Sequence, residues 1–222
     1  MTAAYAIENN DAVAAYNVSK KLAEQAAWQF VESAKPIFDL TVINPDIIIG
    51  PMIQPVPKPQ SVNETNEFAV YSFFNGKYKQ IEGLTFPFYH FVRHFTLHIS
   101  YSVLAITYFA KTIYQVDVRD VALAHILALT SPAASNKRII LVSGLITPQL
   151  VINTIRENFP ELTSRVMEGE PSQIFPKGVH PTGWNATRSF EVFGPDWSYV
   201  GLEKTLIDTI HSILALEKQW RL

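Results

Sequence analysis

The chain has 222 residues, 48% hydrophobic and 17% charged, with a formal net charge of −2 and no cysteine. That composition supports a core of about one to one and a half domains. It argues against disorder and excludes disulfides, thiolate metal sites and a cysteine nucleophile. With no basic run to meet a phosphate backbone, it also argues against nucleic acid as a partner.

The first residues, MTAAYAIENNDAVAAY, lack a basic stretch followed by an apolar run and do not read as a signal peptide. With the absence of cysteine, this leads to an expected cytoplasmic location. Residues 11–34 read as an amphipathic helix, with Ala14, Val18, Leu22, Ala26 and Phe30 at helical spacing, ended at Pro36. FDLTVINPDIIIGP (38–51) alternates and then becomes continuously apolar, as a buried strand does, until Gly50-Pro51 breaks it.

Four prolines in PMIQPVPKPQSVN (51–63) make that stretch a loop, and 64–75 read as a short helix ending at Asn75-Gly76. The most apolar window, FTLHISYSVLAITYFA (95–110), is shorter than the ~20 residues of a spanning helix and is interrupted by His98 and hydroxyls. No membrane partner is expected. DVRDVALAHILAL (117–129) is a helix with Asp117 as N-cap and a stripe of Val118, Val121, Ala122, His125 and Leu129. KRIILVSG (137–144) is a strand. TPQLVINTIRENFP is a helix capped by Thr147 with Pro148 at its first position, and 201–220 form a closing helix striped by Leu206, Ile210 and Ile213. Strands alternating with helices give an α/β protein, but two or three strands are few for a parallel sheet.

Tyr16 and Lys20 are four residues apart on the first predicted helix, the one such pair among nine tyrosines. Residues so spaced share a face. A nearby ammonium favours the phenolate and lowers a tyrosine pKa from its ordinary ~10 toward the range useful for proton transfer. On spacing alone, a solvated helix face is still the better reading. Asn44-Pro45 alone reads as a strand end. Asp117, Arg119 and Asp120 read as a cap with a surface ion pair, worth at most ~1 kcal/mol. His125, on its apolar stripe, reads as a satisfied core histidine. No metal site is expected, and there is no G-x-S-x-G elbow.

Three ordered segments alter that balance: YNVSKKLAEQAAWQF, LTVINPDIIIGP and VDVRDVALAHILAL. They resemble the tyrosine–lysine helix, the following N-P…G-P strand and the D-V-R-D-V-A helix of extended short-chain dehydrogenases/reductases. FNGKYKQIEGLTFPFY, FPEL and NATRSFEVFG are similar to the fungal ketone/aldehyde (methylglyoxal-type) reductases, relatives of dihydroflavonol reductase and the sugar-nucleotide epimerases. The resemblance implies that Tyr16 protonates the substrate carbonyl oxygen as hydride arrives from a nicotinamide. Lys20 would lower the tyrosine pKa and bind the nicotinamide ribose. Pro45 and Asp46 would border the nicotinamide, and Thr65 would lie near the cofactor phosphates. The implied cofactor is NADP or NAD, and the implied substrate a small carbonyl compound. Arg119 and Asp120 would join two domains or take part in catalysis.

The sequence departs from the family in two ways. Its nine glycines are scattered, and no G-x-x-G-x-x-G or G-x-G-x-x-G turn occurs to cradle a pyrophosphate. The family's catalytic serine or threonine is also absent, and Met1-Thr2 resembles an internal N-P-M-T of relatives. The expectation is the C-terminal part of a Rossmann-type fold, a partial parallel sheet with a small α/β substrate domain, lacking most of the nucleotide-binding half. Residues 1–50 would be the Rossmann remnant and 51–222 mainly the substrate domain, with Rossmann segments interleaved at 116–145.

The second departure is Val92–Gln115, 24 residues without Gly, Pro, Asp, Glu or Asn, an odd composition for an inserted loop. Excising them leaves FYHFVDVRDVALAHILAL, the family pattern without a gap. Val-Arg can be encoded by a splice-donor-like GTAAGN and Gln by an acceptor-like CAG, so a retained intron is expected, the alternative being a genuine apolar helix for membrane or partner contact. The combined expectation is an NAD(P)H-dependent reductase lineage whose 222 residues are inactive alone. An epimerase/dehydratase and a non-catalytic interaction protein are the alternatives. Unpaired strand edges around 40–49 would favour self-association.

Overall fold

The computed structural model describes residues 2–81, 113–175 and 183–220. Helix α1 (Ala3–Glu8) is capped by the Thr2 hydroxyl, and α2 (Ala12–Ala34) by the Asp11 carboxylate, which accepts from the Ala14 N–H at 2.9 Å. The predicted 38–51 strand divides at Asp46 into β1 (Val42–Pro45) and β2 (Ile47–Ile49). The Asp46 carboxylate accepts from the adjacent Ile47 N–H at 2.9 Å, a local bond that replaces ladder pairing where the strand changes sheets. The predicted 64–75 helix is α3 (Glu64–Ala69) followed by a 3₁₀ turn at Tyr71–Phe73.

Strand β3 (Ile113–Asp117) runs directly into α4 (Val118–Thr130), with Asp117 as the predicted cap. Then come β4 (Arg138–Leu141), β5 (Gly144–Ile146), α5 (Pro148–Asn158), α6 (Thr187–Phe193) and α7 (Leu202–Trp220). Thr147 caps α5 and Pro148 opens it, as the sequence indicates. Strand β1 pairs in parallel with β4, Val42 opposite Arg138 and Pro45 opposite Leu141. Strand β2 pairs in parallel with β3, which pairs antiparallel with β5. Of the predicted Val92–Gln115 insertion, residues 92–112 lie outside the described residues, and Ile113–Gln115 belong to β3.

The core has two parts because β3 side chains alternate between faces. Val116 faces a cluster with Ala124, Ile139, Leu141, Val192 and Trp197, built by α4, β4 and α6. The larger cluster joins Ile49 of β2 to Phe68 and Phe73, to Ile152 and Ile155 of α5, and to Leu206, Ile210 and Ile213 of α7. Each of those large side chains, fully buried, contributes about 1.5–3 kcal/mol. Gly50 joins the two parts. Its φ is +148°, and a Cβ there would meet Val118 Cγ1 at 2.6 Å, so only glycine lets α4 begin so close to the end of β2. Asn66 holds Gly50 as a strand would: its Oδ1 accepts from the Gly50 N–H at 3.1 Å and its Nδ2 donates to the Gly50 carbonyl at 2.8 Å.

Candidate functional site

Tyr16 and Lys20 lie one turn apart on α2, where Asp11 sets the first turn and Ala14 and Val18 are buried. Tyr16 is 53% exposed, and the Lys20 ammonium sits over its ring, 5.6 Å from the centroid. That is within cation–π range, so the two side chains meet as their spacing requires. The tyrosine hydroxyl makes no hydrogen bond among the described residues. Beyond Val18 the predicted apolar stripe of α2 is uncovered, with Leu22 51% and Phe30 53% exposed.

Pro45 closes β1 and Asp46 follows it, half-buried. Besides capping Ile47, the Asp46 carboxylate accepts from Trp184 Nε1 at 2.7 Å, so the segment before α6 is tied to the strand end. Nothing local in the sequence announces that contact across 138 positions. Thr65, in the first turn of α3, accepts a hydrogen bond from Asn63 Nδ2 at 2.8 Å. No hydrogen bond joins Tyr16 or Lys20 to Pro45, Asp46 or Thr65 among the described residues.

The D-V-R-D segment is not the surface ion pair its sequence indicates. Asp117 is wholly buried and accepts from the Arg119 N–H, Nε and Nη2 at 2.8, 2.8 and 2.7 Å and from the Thr205 hydroxyl at 2.8 Å. Arg119 also donates to Asp208 at 2.6 Å, so the motif fastens α4 to α7. Burial opposes ionisation of Asp117, but the bonds from Arg119 and Thr205 outweigh it and hold the carboxyl below the usual range. The hydrogen bonds from Arg119 to Asp117 and to Asp208 raise the Arg119 pKa against its burial. Among the described residues the Asp120 carboxylate accepts only from the Val200 N–H, at 3.0 Å, and burial pushes its pKa up to about 6 against that bond.

His125 is exposed, its Nδ1 2.7 Å from the Val121 carbonyl, and is not a core histidine. The predicted α4 stripe is mostly uncovered, with Leu129 86% exposed; α4 meets the smaller cluster through buried Ala124 and half-buried Val121, Leu127 and Ala128. A groove of about 560 Å³ runs between this helix and β1, lined by Asp39, Thr41, Ile43, His125 and Leu129.

Fit to a dinucleotide is partial. Tyr16 and Lys20 offer a hydroxyl and an ammonium on one open face, which suits a carbonyl oxygen and a ribose. The described glycines offer no phosphate cradle. Gly50 and Gly169 are packed against Val118 and Gln149, and no described helix opens on a glycine-rich turn. Among the described residues no cluster of metal-ligating side chains occurs, and no helix is long and apolar enough to cross a membrane.

No family model matches the chain. Its curated relatives include an uncharacterized oxidoreductase of Schizosaccharomyces pombe, 31% identical over 206 residues, covering 92% of this chain and 50% of that protein. Another, an NADPH-dependent methylglyoxal reductase of Saccharomyces cerevisiae, is 27% identical over 210 residues, covering 94% and 53%. The crystal structure of Gre2 from Candida albicans superposes with a TM-score of 0.71 at 30% identity, covering 93% of this chain and 54% of that one. The chain is a homologue of the fungal extended short-chain reductases. It spans about half the length of the curated relatives it matches, and its α/β architecture with parallel strands is theirs over that span.

Proposed function

We propose that the chain carries the proton-donor half of an NAD(P)H-dependent reductase of small aldehydes or ketones, and that these 222 residues do not turn over alone. The observation that carries this reading is the Tyr16–Lys20 pair, with its ammonium over the phenol ring on an open helix face. Tyr16 would hand its proton to a carbonyl oxygen, and the Lys20 charge would favour the phenolate left behind. Pro45 and Asp46, at the end of β1, would border the reacting ring, and Thr65 would lie toward the phosphates. The naming of one relative as an NADPH-dependent methylglyoxal reductase supports the substrate class and favours NADPH as the reductant. The absence of a glycine-rich turn from the sequence supports inactivity, because the electrostatics of such a site depend on a held cofactor.

Purified chain mixed with NADPH and methylglyoxal is expected to show no loss of NADPH absorbance. Turnover that disappears in Tyr16→Phe would overturn the inactive reading. A chimera joining the unmatched half of the S. cerevisiae relative to this chain is expected to reduce methylglyoxal. Tyr16→Phe in that chimera should lower kcat by about 10²–10⁴-fold. A folded chimera indifferent to Tyr16→Phe would sink the proton-donor role.

A second reading, a non-catalytic protein that binds another polypeptide or a second copy, is favoured by one observation. Leu22 and Phe30 of α2 and Ile126 and Leu129 of α4 stand exposed, and the only described pairing of β1 is with β4. Concentration-dependent mass in analytical ultracentrifugation is the expected result, and a monomer at every concentration would refute self-association.

A further inference from the structure

Gln115 is the β3 residue that pairs on both sides, with Ile47 of β2 and with Gly144 of β5. Its side chain is wholly buried, and among the described residues neither its Nε2 nor its Oε1 has a hydrogen-bond partner. By strand alternation it shares a face with Asp117, yet the two buried polar groups differ sharply. Asp117 accepts four hydrogen bonds, whereas the register partners of Gln115, an isoleucine and a glycine, bring no polar side chain to it. Burying an amide without partners forfeits its hydration and gains nothing in return. A β3 strand with this setting calls for an apolar side chain at that position.

Gln115 is also the last residue of the compositionally odd Val92–Gln115 stretch. Removing that stretch places Phe91 directly before Val116 and so puts an aromatic residue in the register position of Gln115. The join leaves Val116, the Asp117 cap and the Arg119 network unchanged in sequence. We propose that the sheet is built for a form of this chain in which Phe91 is joined to Val116, so that Phe91 and not Gln115 holds this β3 register position. The Gln115 amide is the structural mark of that junction. The inference does not depend on the chemistry of Tyr16, so the two can fail separately.

The test is equilibrium urea unfolding of three chains beside the parent. Gln115→Met and Gln115→Leu, in the full chain, change little in volume and remove the orphaned amide. Each is expected to raise the folded-to-unfolded ratio about tenfold. Unchanged or lower stability in both overturns the proposal. The chain with residues 92–115 deleted is expected to unfold at a higher urea midpoint than the parent, and a lower midpoint overturns the proposal. Should that chain not be recovered in soluble form, the two full-chain variants decide. At the nucleic-acid level, transcripts that skip codons 92–115 are expected, and a Gln115 codon of CAA would overturn an intron origin.

Discussion

Helices α7 and α4 carry the same kind of sequence pattern and meet opposite fates. On α7, Leu206, Ile210 and Ile213 are all fully buried against α5 and the strands. On α4, Leu123 is 45%, Ile126 62% and Leu129 86% exposed, and Ala124 is buried against the smaller cluster with Val121, Leu127 and Ala128 half-buried beside it. The α2 face, with Leu22 and Phe30, resembles α4 in this respect. Hydrophobic periodicity therefore says that a face is suited to burial, but not that this chain supplies the cover. The α5–α7 side is a closed core; the α2–β1–α4 side is an open one.

The largest expected effect lies on the closed side. Ile210→Ala should cost about 2–5 kcal/mol in urea unfolding, because a packed site cannot collapse around the lost methyls. A cost below about 1 kcal/mol would mean that α7 is not the closed face described.

The junction between the two sides should respond to pH. Asp120 has a folded pKa of about 6, above its ordinary 3.8. Its contribution to stability is therefore fully present below about pH 4 and is lost as pH rises through about 6, a change on the order of 2–3 kcal/mol. Asp120→Asn, which keeps an acceptor for the Val200 N–H, should flatten stability between pH 4 and 7. An unchanged profile would assign the slope to other groups. Asp117 behaves in the opposite sense: its lowered pKa gives stability that is present above its ordinary value and lost as pH falls below it.

The smallest effect on folding should come from the open side. Ile126→Lys with Leu129→Lys should change stability by no more than about 0.5 kcal/mol, since neither side chain is covered. The same pair should weaken any concentration-dependent association seen in the parent. A large loss of stability would show that α4 is covered within the chain.

Much of the site was legible locally. Tyr16 and Lys20 are one helical turn apart, and α2 brings them together because Asp11 fixes its start and no proline interrupts it. The Thr147 and Asp117 caps were readable for the same reason, since a cap acts over two or three residues. Helix α1 and strand β5 were not legible, one being six residues long and the other opening on a glycine that normally ends a strand. His125 was misread because its stripe faces away from the sheet. The Asp46–Trp184 bond joins residues 138 positions apart and has no local signature.

The sequence by itself determined helices α2, α4, α5 and α7, the Asp117 and Thr147 caps, the tyrosine–lysine pair and the kinship with fungal reductases. All of these rest on spacings within a turn or two, or on motif order along the chain. Only the tertiary structure decided which apolar faces are covered. It turned the D-V-R-D segment into a buried clasp between α4 and α7, and it left the Gln115 amide without a partner among the described residues. Burial depends on what lies opposite a residue in space, and periodicity along the chain carries no record of that.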